Sequence, residues 1–109
     1  MPKNLIPAPI KLQVDAIVQN FNQQTFTDPQ RYYFTRYKGS YLYLDRFEHG
    51  RVKHICRLKY IDNLTNWDFA IFKYSTETYD AHEWFFPESS LVDGTIEGAM
   101  NAGLHVYPY

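Results

Sequence analysis

Cysteine is nearly missing from this chain: its 109 residues contain one, Cys56. A lone thiol excludes an intrachain disulfide and any zinc cage made of cysteines, and it fits a reducing compartment, so a cytoplasmic location is expected. Long hydrophobic runs are missing too. Apolar stretches stop after a few residues, far short of a bilayer-spanning helix, and no membrane partner is expected. The opening MPKNLIPAPIK has no apolar core of the kind a secretory signal needs. Glycine is scarce, and Gly94 and Gly98 fit neither G-x-G-x-x-G nor G-x-x-x-x-G-K-[ST], with no lysine nearby, so a phosphate loop is excluded. Asp80, His82, Glu83 and His105 match no metal-ligand spacing, and neither metal nor cofactor is expected. Lysine and arginine are absent beyond residue 75, where six acids stand alone.

What is present is aromatic. Ten tyrosines, eight phenylalanines and two tryptophans make 18 % of the chain, most of them between Tyr32 and Phe86. Such residues favour pleated, half-buried surfaces, so this region reads as sheet. At 13.0 kDa with 45 % apolar residues, the chain is one globular domain's worth. The net charge of −1 hides a split. Residues 31–75 hold nine Lys and Arg against four acids, a surplus of five positive charges, and residues 76–109 are six negative. Either the acidic end folds back on the basic middle, or the middle is an anion-binding surface. A pI near 6.4 counts against nucleic acid, whose binders are usually basic.

Along the chain, residues 1–8 hold Pro2 and Pro7 and read as an extended arm, with a single domain over 9–109. From Pro9, the residues Ile10, Val14, Ile17, Val18 and Phe21 form one apolar helical stripe that ends near residues 22–25. Four strands follow: RYYFTRYK (31–38), YLYLDRFE (41–48), RVKHICRLKY (51–60) and WDFAIFKYS (67–75). Gly39-Ser40 and His49-Gly50 read as two-residue hairpin turns. Asp80 and Glu83 have the form of a capping box, with Tyr79 stapled on Trp84, and predict a short middle helix. Ser90 with Asp93 reads as a second cap. It opens a C-terminal helix with a face of Val92, Ile96, Ala99 and Met100 and a stop at Gly103. The expected fold class is α+β: a four-stranded antiparallel meander with an N-terminal, a short middle and a C-terminal helix, packed mainly on one face.

With every turn even in length, residue parity assigns each strand residue to a face. One face collects Phe34, Arg36, Tyr43, Asp45, Phe47, His54, Cys56, Leu58, Phe69 and Ile71, and it is expected to take the helices. The other collects Tyr33, Tyr37, Leu44, Arg46, Lys53, Ile55, Arg57, Phe72 and Tyr74. There Leu44, Ile55 and Phe72 are expected side by side, ringed by tyrosines and cations. An exposed apolar row of that kind marks a docking surface.

These readings lead to a small cytoplasmic, non-enzymatic binding or assembly module. It is expected to self-associate, or to dock a small protein, through a basic aromatic face made by Leu44, Ile55, Phe72, Tyr74, Arg46, Lys53 and Arg57. A nucleic-acid or anionic-ligand binder using the same cations is the alternative. A third reading is a small cysteine hydrolase. Asp45 and His54 are expected opposite each other, with Cys56 two residues along on the same side, and a carboxylate, an imidazole and a thiol are the parts of a cysteine nucleophile. No catalytic role is assigned to them, because no oxyanion-hole signature accompanies the trio and roughly 7 Å of strand rise separates the thiol from the imidazole.

Overall fold

The computed structural model describes residues 5–80 and 91–108. The chain is α+β. Helix α1 (Ala8–Thr25) is followed by strands β1 (Arg31–Lys38), β2 (Tyr41–Glu48), β3 (Arg51–Tyr60), β4 (Trp67–Lys73) and β5 (Thr78–Asp80), then helix α2 (Ile96–Val106). All strand pairs are antiparallel and the sheet order is β1-β2-β3-β4-β5.

Helix α1 starts at Ala8, one residue before the expected Pro9, which sits in the first turn where a missing N–H costs nothing. Its stripe buries Val14 and Val18, with Ile10, Ile17 and Phe21 packed beside them. Two polar side chains then fix the helix to β1. The Asn22 amide closes a two-way bond with the backbone of Tyr33, donating to its carbonyl and accepting from its N–H at 2.8 Å each. Asp15 accepts from the hydroxyls of Tyr37 at 2.7 Å and Thr35 at 3.0 Å. Of the predicted arm, Ile6 is 5 % exposed and belongs to the core.

Both hairpins form as read. Gly39 supplies a φ of +61° in the first, and His49 and Gly50 take +50° and +86° in the second, the paired positive values that match the twist of the flanking strands. The middle of the chain differs from expectation. Asp80, read as a helix cap, is the last residue of a fifth strand and pairs with Ile71. The turn into β5 carries its positive φ (+53°) on Glu77 rather than on glycine or asparagine, so it leaves no turn signature in the sequence. The remainder of the predicted middle helix lies outside the described residues. Helix α2 is capped by Thr95, whose hydroxyl accepts from the Gly98 N–H at 3.0 Å, and not by Ser90 and Asp93; Asp93 instead accepts from the Thr95 backbone at 3.1 Å.

Gly103 does not stop α2 but lies inside it. A Cβ there would come within 2.5 Å of Ile55 Cγ2 and 2.6 Å of the Tyr33 hydroxyl. The glycine is a packing notch that lets the helix sit on the sheet.

The main correction is to the faces. Strand β3 carries one extra residue against β2: Asp45 pairs with His54, yet Leu44 pairs with Cys56, leaving Ile55 as a β-bulge. Parity therefore runs true from β1 to the start of β3, breaks at Ile55, and runs true again through β4. The face beneath the helices is Tyr33, Leu42, Leu44, Arg46 and Ile55 from the first half, continued by Cys56, Leu58, Tyr60, Trp67, Phe69 and Ile71 from the second. Leu44 and Ile55 are completely buried and Phe72 belongs to the opposite face, so the predicted exposed row does not exist.

Candidate functional site

No helix covers the other face of the sheet among the described residues. It has an apolar end and a polar end. At the apolar end Tyr32 stacks on Phe47 with ring centroids 5.2 Å apart, Phe34 meets Tyr32 edge-on, and Val52, the cross-strand partner of Phe47, is 53 % exposed.

The polar end is organised by Asp45. Its side chain is 1 % exposed, whereas Arg36 and His54, both bonded to it, are 45 % and 44 % exposed. Arg36 Nε donates to Asp45 Oδ2 at 2.6 Å, and His54 Nδ1 lies 3.1 Å from Oδ1. The hydrogen bond to Asp45, and then its charge, push the Arg36 guanidinium further into its charged form against the opposing effect of partial burial. That guanidinium lies 4.5 Å over the ring of Tyr43 and reaches the Tyr79 hydroxyl at 3.4 Å. Arg57 repeats the pattern from β3, on the other side of β2, 4.5 Å over Tyr41 and 5.4 Å over Tyr79. Burial pushes the Tyr79 hydroxyl up to about 12, keeping it protonated at neutral pH.

Phe72 completes the arrangement, with its ring 5.2 Å from His54, 4.7 Å from Tyr74 and 4.9 Å from Tyr79. The result is an open concavity of about 500 Å³. Tyr43, Phe72, Tyr74 and Tyr79 are its aromatic walls, and Arg36, Lys38, His54 and Glu77 its polar lining.

The predicted site residues are thus scattered. Phe72, Tyr74 and Arg57 lie on or beside the open face. Lys53 is at the rim, 3.3 Å from Glu48. Leu44, Ile55 and Arg46 lie under the helices. Arg46 is fully buried because three groups compensate it: Glu48 Oε2 at 2.5 Å, the carbonyl of Tyr107, and the Tyr33 ring and hydroxyl. It fastens the end of α2 to the sheet and is not available to a ligand.

Asp45 and His54 do face each other, as parity expected. Cys56 does not join them; it pairs with Leu44 on the helix side, fully buried, and burial raises its thiol far above the ordinary range. The bulge that buries Ile55 therefore separates the thiol from the imidazole. The trio cannot act as a nucleophile and its base.

The residues that sequence reasoning missed are Arg36, Lys38, Tyr43 and Tyr79. A signal for them existed. The face expected to take the helices held Arg36, Asp45 and His54 as close neighbours, a poor core but a natural surface cluster. Among the described residues no three His, Cys, Asp or Glu side chains converge as a metal site would require. Compared with protein-family models, curated proteins and solved structures, the chain matches none.

Proposed function

We propose that the chain is a small non-enzymatic binding and assembly module whose working surface is the open face of the sheet, and that its partner there is a second copy of the chain. The observation that carries this reading is the apolar end: stacked Tyr32 and Phe47 beside Val52, on the side of the sheet that no described helix covers. Exposed apolar area of this kind is stabilised by a partner. The cytoplasm is the location that goes with it, given a single buried, unpaired thiol.

Light scattering on the eluting full-length chain at tens of micromolar tests the proposal. A dimer is expected, and Tyr32→Glu combined with Val52→Glu returns it to a monomer. Because both side chains are exposed, the double variant keeps its thermal midpoint within a few degrees. A wild-type monomer at every concentration, or a dimer indifferent to the two glutamates, overturns it.

A second reading, binding of an anionic ligand, is favoured by Arg36 and Arg57, each 4.5 Å over a tyrosine ring on the open face. Nucleic acid fits it less well than a small molecule does. The cations of the concavity are matched in number by acids, Arg36 by Asp45 and Lys38 by Glu77, which leaves no surplus to release the counterions of a polyphosphate chain.

A further inference from the structure

We infer that the concavity between Arg36, His54 and Tyr74 is a site for a small planar aromatic molecule carrying one carboxylate or phosphate. The inference rests on the open face being a binding surface, but not on self-association.

Size is the first support. About 500 Å³ falls within the range of roughly 300–1,000 Å³ usual for small-molecule sites. Shape is the second. Phe72 meets Tyr74 at 76° and Tyr79 at 69°, so rings stand at an angle to one another around the hollow and offer both edges and faces to a flat guest.

The third support is the fixing of the polar groups. A guanidinium has five N–H groups. Asp45 holds Arg36 through Nε at 2.6 Å, and Nη2 reaches Asp45 and the Tyr79 hydroxyl at 3.4 Å each, so the two N–H groups of Nη1 remain for a ligand. The Tyr43 ring, 4.5 Å from the guanidinium carbon, holds it from a second side. His54 is tied to the same carboxylate through Nδ1, which donates to it, so in the neutral ring Nε2 is left as an acceptor, for a hydroxyl or N–H of the guest rather than for its anion. Orienting groups held from behind by a buried carboxylate bind without the entropy cost of ordering them first.

Charge sets the stoichiometry. Lys38 adds one more cation at the lining and Glu77 one acid. The free Nη1 of Arg36 together with the Lys38 ammonium suits one carboxylate or phosphate, and Glu77 opposes a second anionic group.

The test is calorimetric titration of the full chain with simple probes, with ¹⁵N-resolved spectra locating each one. 2-Naphthoate and 2-naphthyl phosphate combine ring and anion, 2-naphthylmethanol has the ring alone, and acetate and inorganic phosphate have the anion alone. At least one of the combined probes is expected to bind roughly tenfold or more tighter than either of its parts, shifting Arg36, His54 and Tyr74; the ratio of the two assigns the head group. Arg36→Ala strips a partner from buried Asp45 and risks unfolding, so the variants are Lys38→Ala and Tyr74→Ala. Each is expected to weaken the combined probe several-fold without changing the fold. Equal binding of ring-only or anion-only probes overturns the inference, as does affinity unchanged in both variants. If no probe binds while the chain still dimerises, the ligand inference fails alone. If no probe binds and the chain is a monomer, the binding-face reading fails with it.

Discussion

The two faces of this sheet are made from the same strands and nearly the same residue types, yet they solve opposite problems. The covered face takes an arginine, Arg46, to complete burial by surrounding it with Glu48, the Tyr107 carbonyl and the Tyr33 ring. The open face takes another, Arg36, stacks it on Tyr43, ties it to Asp45 and leaves it half exposed. In the first case the cation is sealed and its carboxylate is largely buried with it; in the second the carboxylate is sealed and the cation is presented. A buried acid beneath an exposed base is an arrangement for offering hydrogen bonds. A buried base paired with a largely buried acid is an arrangement for holding a helix end down.

The sharpest way to break this comparison is to remove one arginine from each face. Arg46→Ala leaves a carboxylate and a carbonyl short of their partner inside the fold, and breaking such a buried pair costs about 3–5 kcal/mol. Urea denaturation is expected to show that loss, with the α2 end losing amide protection first. Truncating Lys38 on the other face is expected to change stability by no more than about 0.5 kcal/mol. If the Arg46 variant were as stable as the wild type, its buried contacts would be incidental and the distinction between the faces would be lost.

The bulge is the next lever. Removing Ile55 altogether leaves Asp45 opposite His54 and Leu44 opposite Cys56, so a regular ladder now joins the two halves of β3 without inverting either. The expected effect is loss of one core side chain, about 2–5 kcal/mol by comparison with other large-to-small changes, with the covered face otherwise intact. Iodoacetamide checks this: Cys56 is to stay unreactive in the native deletion variant, as burial dictates for the wild type. Rapid labelling would mean the second half had turned over and that the bulge sets the faces in some other way.

That single residue also explains what was legible in the sequence. Helix α1, both two-residue turns, four strands and the Asp45–His54 pair follow from patterns a few residues long, and each is local. The faces depend on counting through four strands, where one slip inverts everything downstream. The slip leaves a trace at Lys53-His54-Ile55-Cys56-Arg57-Leu58, where alternation stutters into two adjacent apolar residues. Reading that doublet as a bulge places Leu44 beside Cys56 and completes one continuous apolar face. Strand β5 was illegible for another reason: three residues and a turn closed by Glu77 offer no periodicity and no glycine. Gly103 reads locally as a helix stop, a common role of glycine, because the clash it avoids comes from Ile55 and Tyr33, far away in sequence.

The smallest expected effect is acid sensitivity, and it separates the faces by chemistry rather than by packing. Burial alone raises the Glu48 carboxyl, but bonds and charge from Arg46 and then Lys53 outweigh it, so in the folded chain it lies below its ordinary value of 4.5. A carboxyl depressed by folding contributes stability above its unfolded value and loses it as pH falls through the folded one. Wild-type stability is therefore expected to decline below about pH 4.5, part of it through Glu48 releasing Arg46. In Glu48→Gln that part is gone: the variant is less stable at neutral pH, and the gap to wild type closes as the solution is acidified. Asp28 and Asp93 are likewise depressed, by a backbone N–H and by the Thr95 hydroxyl respectively, so some acid loss persists in the variant. Thermal midpoints from pH 7 downward measure the gap directly. A gap of constant width would show that the Glu48 carboxylate acts by shape alone, and that Arg46 is held down by the Tyr107 carbonyl and the Tyr33 ring without it.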